Sequence, residues 1–83
     1  MTDSIDVLIA EDHPIFRRGL MDIINSDPYM SVVANLSNGI NVTTVAKNCS
    51  PDIIVLDIDM PVKSGLEVAT DLQTEKIQQK LFF

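Results

Sequence analysis

The chain has 83 residues, enough for one domain and no more. Its 46% apolar content is that of a globular protein, and six basic residues against twelve acidic ones give a net charge of −6. That balance argues against a nucleic-acid role for this segment, because no basic stripe exists to neutralise phosphates. No apolar run approaches the roughly 20 residues of a membrane span, so no membrane role is expected. The start shows no charged region followed by an apolar one, as an export signal would. The lone Cys49 cannot form an internal disulfide, which agrees with a reducing cytoplasm, and it reads as a small buried apolar residue. At this length the core is expected to be thin.

In chain order, Ile5-Asp6-Val7-Leu8-Ile9-Ala10 reads as a strand buried on both faces, ending in Glu11-Asp12. His13-Pro14 opens a helix, with Phe16, Leu20, Ile23 and Ile24 on one face and Pro14 acceptable in the first turn. Asn25-Ser26-Asp27-Pro28 is a turn, Met30 to Ala34 a short strand, and Asn35 to Gly39 a polar connection. Val42, Val45 and Ala46 mark a second helix, although Thr43 and Thr44 are weak helix formers. Ser50-Pro51 ends it and leads into the apolar run Ile53-Ile54-Val55-Leu56, which stops at Asp57. Ser64 with Glu67 three residues on forms a capping box, so a third helix starts there with Leu66, Ala69 and Leu72 inward. Leu81-Phe82-Phe83 reads as the beginning of a fourth strand.

Strands alternating with helices over short loops imply a doubly wound α/β sheet with right-handed crossovers. Two buried strands that end in acid would then bring Glu11, Asp12 and Asp57 into one crevice at the carboxyl ends of the sheet. Ligands of open α/β sheets bind in that crevice. Carboxylates that repel one another there call for a hard cation, and Mg²⁺ is the first candidate.

The residues from Ile9 to Leu20, Ile-Ala-Glu-Asp-His-Pro-Ile-Phe-Arg-Arg-Gly-Leu, together with Val55-Leu56-Asp57-Ile58-Asp59-Met60-Pro61 and Ser64-Gly65-Leu66-Glu67, resemble the receiver domain of bacterial response regulators. The Asp-His-Pro opening followed by Phe-Arg-Arg-Gly-Leu is most similar to the NarL/FixJ class, whose members carry a LuxR-type helix-turn-helix after the receiver. The likeness runs in register over essentially the whole of residues 1–83. It implies a flavodoxin-like sheet and a non-enzymatic module of a two-component system. Asp57 would take a phosphoryl group from a sensor histidine kinase to control a transcriptional output domain. Asp12 matches the direct Mg²⁺ ligand, and Glu11 its neighbour, which holds the metal through water. Asp59 falls where the family supplies a backbone carbonyl to the metal, while Met60 and Pro61 shape the pocket. Mg²⁺ keeps several waters, so two carboxylates and a carbonyl suffice.

The likeness has gaps. The family carries a Ser or Thr after its fourth strand and a Lys after its fifth, and this sequence offers neither; Lys63, Lys76 and Lys80 do not match that lysine. The chain therefore reads as the first two-thirds of a receiver, without the DNA-binding output domain. Uncovered sheet surface is expected to drive self-association, edge-paired or swapped. His13 reads as a helix-opening residue, with a metal-ligand or phosphate-carrier role the alternative. Arg17 and Arg18 read as a solvated face or part of a kinase-docking face, and the Asp59 side chain as pointing to water or to the metal. Two rival functions stand beside the receiver. Val55-Leu56-Asp57-Ile58-Asp59 fits the D-x-D start of haloacid-dehalogenase-type phosphatases, although Thr or Val rather than Met-Pro follows in those enzymes. The other rival is a fragment with an inert pocket that binds a partner or itself.

Overall fold

A computed structural model of the chain describes residues 4–58, 60 and 63–75 and the backbone of 80–82. Four strands and three helices alternate along it: β1 (Ile5–Ala10), α1 (Pro14–Asn25), β2 (Met30–Leu36), α2 (Val42–Cys49), β3 (Ile53–Leu56), α3 (Gly65–Thr74) and β4 (Lys80–Phe82). All neighbours are parallel, in the order β2-β1-β3-β4. This is the expected doubly wound, flavodoxin-like arrangement. The chain reverses its direction of progress across the sheet at β1, so the crevice opens above β1 and β3.

β1 is central because every residue from Val7 to Ala10 is fully buried. Its side chains alternate between the two faces of the sheet. Leu8 and Ala10 join the larger core cluster with Val42, Ala46, Ile54, Leu56, Met60, Val68 and Leu72, beneath α2 and α3. Val7 and Ile9 join a smaller cluster with Ile24 of α1. A register shift in the β1–β2 pairing skips Val33: Val7 faces Val32, but Leu8 faces Ala34. One extra residue flips the side-chain parity of β2. Met30 and Val32 therefore pack with α1's cluster, whereas Ala34 and Leu36 pack with the other. The strand also runs two residues beyond the expected Ala34.

The local signals at helix ends hold. Pro14 occupies the first turn of α1, and both hydrogen bonds of the Ser64–Glu67 capping box are present, at 3.2 and 3.0 Å. Ser50 closes α2 in the left-handed conformation, φ 48°, and its N–H donates to the Ala46 carbonyl.

The inward faces of two helices need correcting. In α1, Ile24 is buried and Leu20 and Met21 are half-buried, but Phe16 is 59% and Ile23 70% exposed. In α3 the buried positions are Gly65, Val68 and Leu72 with Ala69 beside them, whereas Leu66 is 60% exposed. Each residue turns a helix by about 100°, so steps of three drift about 60° around the axis. A row such as 66, 69, 72 therefore cannot stay on one face. Cys49 is half-buried rather than enclosed. β4 begins at Lys80, one residue before the expected start, and Phe83 lies outside the described residues.

Candidate functional site

The register of the sheet builds the site. Ala10 at the end of β1 pairs with Leu36 on one side and with Leu56 on the other, so three strands finish level. The next N–H groups continue the ladder: Glu11 donates to the Leu36 carbonyl at 2.9 Å, and Asp57 donates to the Ala10 carbonyl at 2.9 Å. Glu11, Asp12 and Asp57 therefore meet where β1 and β3 give way to loops, as the sequence led us to expect. Gly65 and the buried Met60 support that floor, and the Gly65 N–H donates to the Ile58 carbonyl at 3.0 Å.

His13 joins them. It is the residue before α1, and its side chain makes no cap hydrogen bond to the helix. The ring turns back instead: Nδ1 lies 2.8 Å from Glu11 Oε2, 3.1 Å from Asp12 Oδ1 and 3.9 Å from Asp57 Oδ2. The same Glu11 oxygen accepts the His13 backbone N–H at 3.1 Å. Glu11 is only 5% exposed, so its carboxylate needs this neighbour. Nδ1 lies nearest to Glu11 Oε2. Asp12 Oδ1 is a buried oxygen with no hydrogen-bond partner among the described residues. One ligand atom from each of Glu11, Asp12, His13 and Asp57 lies within 4.8 Å of the others.

Arg17 fastens the loop from outside. Its Nη1 donates to the Glu11 carbonyl at 2.8 Å, and its own N–H donates to the His13 carbonyl at 2.8 Å. It is a half-buried strut rather than a member of a solvated face. The sequence signal for both roles is faint: a histidine two residues past a strand-ending glutamate, and an arginine on the first turn of the next helix. Lys63 pairs with Asp71 on α3, away from the site. Asp59 and Pro61 lie outside the described residues.

The carboxylates raise the pKa of the His13 imidazole above its ordinary 6.5: the Glu11 hydrogen bond contributes most and the charge of Asp12 next, desolvation opposes them, and the charges of Glu11 and Asp57 add less. A raised folded-state value gives stability that is present in full below about pH 6.5 and is lost as pH rises through the folded value. His13 is the one histidine in the chain, so its NMR titration is unambiguous. Its midpoint should lie above 6.5 without divalent cations and fall in Glu11→Gln. A midpoint at or below 6.5 in the wild type would mean the ring does not sit among these carboxylates in solution.

The response regulator receiver domain model matches residues 7–83. The chain belongs to the response regulator receiver domain family. A nitrate/nitrite response regulator protein homolog of Haemophilus influenzae is 37% identical over 81 residues, covering 98% of this chain and 39% of the relative. The transcriptional regulatory protein DegU of Brevibacillus brevis is 36% identical over 70 residues, 84% of this chain and 30% of the relative. Among solved structures, the response regulator domain of Thermotoga maritima CheB is 33% identical with a TM-score of 0.87, covering 94% of this chain and 57% of that one. A NarL signal receiver domain from Mycobacterium tuberculosis reaches a TM-score of 0.90 at 25% identity, covering 95% and 64%. This receiver chain thus spans well under half the length of these curated relatives. The family match takes in the Val55–Asp59 segment, and the phosphatase reading of that segment finds no support. No described helix is long and apolar enough to cross a membrane.

The donor set suits Mg²⁺. Glu11, Asp12 and Asp57 offer hard oxygens, and Asp12 Oδ1 is a buried acceptor with no hydrogen-bond partner among the described residues.

Proposed function

We propose that this receiver takes a phosphoryl group onto Asp57 in a two-component pathway, with Mg²⁺ held by Asp12 and Asp57 directly, by Glu11 through water and by the Asp59 backbone carbonyl. The observation that carries this reading is the convergence of three carboxylates from two strand ends around a buried oxygen without a donor. When bound, Mg²⁺ neutralises charge on the transferring group. The chain's residues do the rest. An Asp57 carboxylate oxygen bonds to phosphorus, and the bond from phosphorus to the donor's nitrogen or oxygen breaks, its electron pair leaving with the donor. Glu11 and Asp12, fixed by the ladder and by Arg17, hold the opposite wall in place. The reaction is stoichiometric transfer, so this segment is a switch rather than a turnover enzyme. The donor partner is a sensor histidine kinase and the setting the cytoplasm. The output is transcriptional control, as the transcriptional regulatory protein among its relatives suggests.

A small acyl-phosphate donor with Mg²⁺ tests this by intact mass. One phosphoryl adduct is expected in the wild type. None is expected in Asp57→Asn or without divalent cation. An adduct that survives Asp57→Asn would end the assignment.

The same chain is proposed to associate with itself. Ile15, Phe16 and Ile23 leave an apolar flank of α1 open, and β4 lies at a sheet edge. Light scattering after size exclusion should give a dimer or larger at high micromolar concentration. A monomer with a single cooperative melt would overturn it.

A further inference from the structure

We propose that His13 is a fourth protein ligand of this pocket, and that its imidazole opens the site to metals that accept nitrogen, such as Ni²⁺ and Zn²⁺, alongside Mg²⁺. The inference rests on the cation site proposed above and adds a residue that the oxygen-only set does not use. With metal–ligand bonds of about 2.1 Å, adjacent ligand atoms of an octahedron lie about 3.0 Å apart and opposite ones about 4.2 Å apart. His13 Nδ1 stands 2.8 Å from Glu11 Oε2 and 3.1 Å from Asp12 Oδ1, both adjacent spacings, and 3.9 Å from Asp57 Oδ2, close to an opposite one. Nδ1 therefore stands at a spacing from Asp12 and Asp57 that a fourth ligand of a metal held between them would take, with Glu11 beside it.

Two further features favour ligation. The ring is 72% exposed on its outer side, so the hydrogen can reside on Nε2 in water while Nδ1 presents its lone pair inward. The His13 side chain makes no cap bond to α1, so turning to a metal costs the helix nothing. Carboxylate oxygens alone suit Mg²⁺, Ca²⁺ and Mn²⁺, whereas an added imidazole suits the later first-row metals. Mg²⁺, which binds nitrogen poorly and retains water, would leave His13 unliganded. The residue thus sets which metal the pocket prefers.

Calorimetric titration of the tag-free chain with Mg²⁺ and with Ni²⁺ tests this, because no other histidine can answer for the result. His13→Asn keeps a good residue ahead of the helix and removes the imidazole. His13→Gln serves as a second variant, and a melt of each confirms folding. We expect Ni²⁺ affinity to fall about tenfold or more relative to Mg²⁺ affinity in both variants. An unchanged Ni²⁺ affinity, or an equal fall for both metals, overturns the role of His13 while leaving the Mg²⁺ site standing. A wild-type chain that binds Mg²⁺ no better than Asp12→Asn overturns the Mg²⁺ reading and this inference with it.

Discussion

Gly65→Ala is expected to destabilise the chain by about 2–3 kcal/mol, the cost of forcing a methyl group into space already filled. For a domain of this size that lowers Tm by roughly 10–20 °C. Gly65 is the first residue of α3, and a Cβ there would press on the Asp57 carbonyl oxygen and come within 3.1 Å of the Asp57 carbonyl carbon and the Ile58 Cα. All three are backbone atoms just after β3, and no rotamer change can move them aside. The substitution must shift either α3 or the loop that carries Asp57, so phosphoryl transfer should suffer with stability. Gly19→Ala is the control. An added Cβ there meets nothing within 4 Å, and alanine in a helix interior is worth about 0.5–1 kcal/mol over glycine, so this variant should melt higher. Thermal melts of the two side by side decide it. A Gly65→Ala Tm close to the wild type would mean that the β3–α3 junction yields easily.

Leu8→Ala should cost about 2–5 kcal/mol, because its side chain is fully buried at the centre of the larger cluster. Stability of about 0.05–0.15 kcal/mol per residue gives this chain roughly 4–12 kcal/mol in all. The loss is then a large share of the whole, and at the lower end it leaves the variant substantially unfolded at 25 °C. Phe16→Ala, on the exposed flank of α1, should change stability by no more than about 0.5 kcal/mol. Urea titration gives both values. Measured at a dilution where the chain is monomeric, a Phe16 substitution as costly as Leu8→Ala would show that α1 takes a different seat on the sheet.

The contrast between Leu8 and Phe16 marks the boundary between local and tertiary information. The apolar run of β1 and its acidic end, the apolar run of β3 closing on Asp57, Pro14 in the first turn and the Ser64–Glu67 box were all legible before any coordinates. Each depends on chain neighbours alone: a strand buried on both faces reads as continuous apolar sequence, and a cap is closed within four residues. The convergence of Glu11, Asp12 and Asp57 followed from these once parallel order was inferred, because level strand ends bring their next residues together.

The rotation of α1 and α3 was not legible in that way. Phe16, Leu20, Ile23 and Ile24 span a broad apolar arc, and which part of it faces inward depends on where the sheet lies beneath the helix. The parity flip at Val33 belongs to the pairing of two strands and leaves no trace in either one alone. His13 and Arg17 look like any polar helix start. Only the seating of α1 over the end of β1 aims one ring into the carboxylates and one guanidinium onto the Glu11 carbonyl. Side-chain type and periodicity thus set what each segment becomes, whereas the direction in which a helix presents its residues is decided by the surface it packs against.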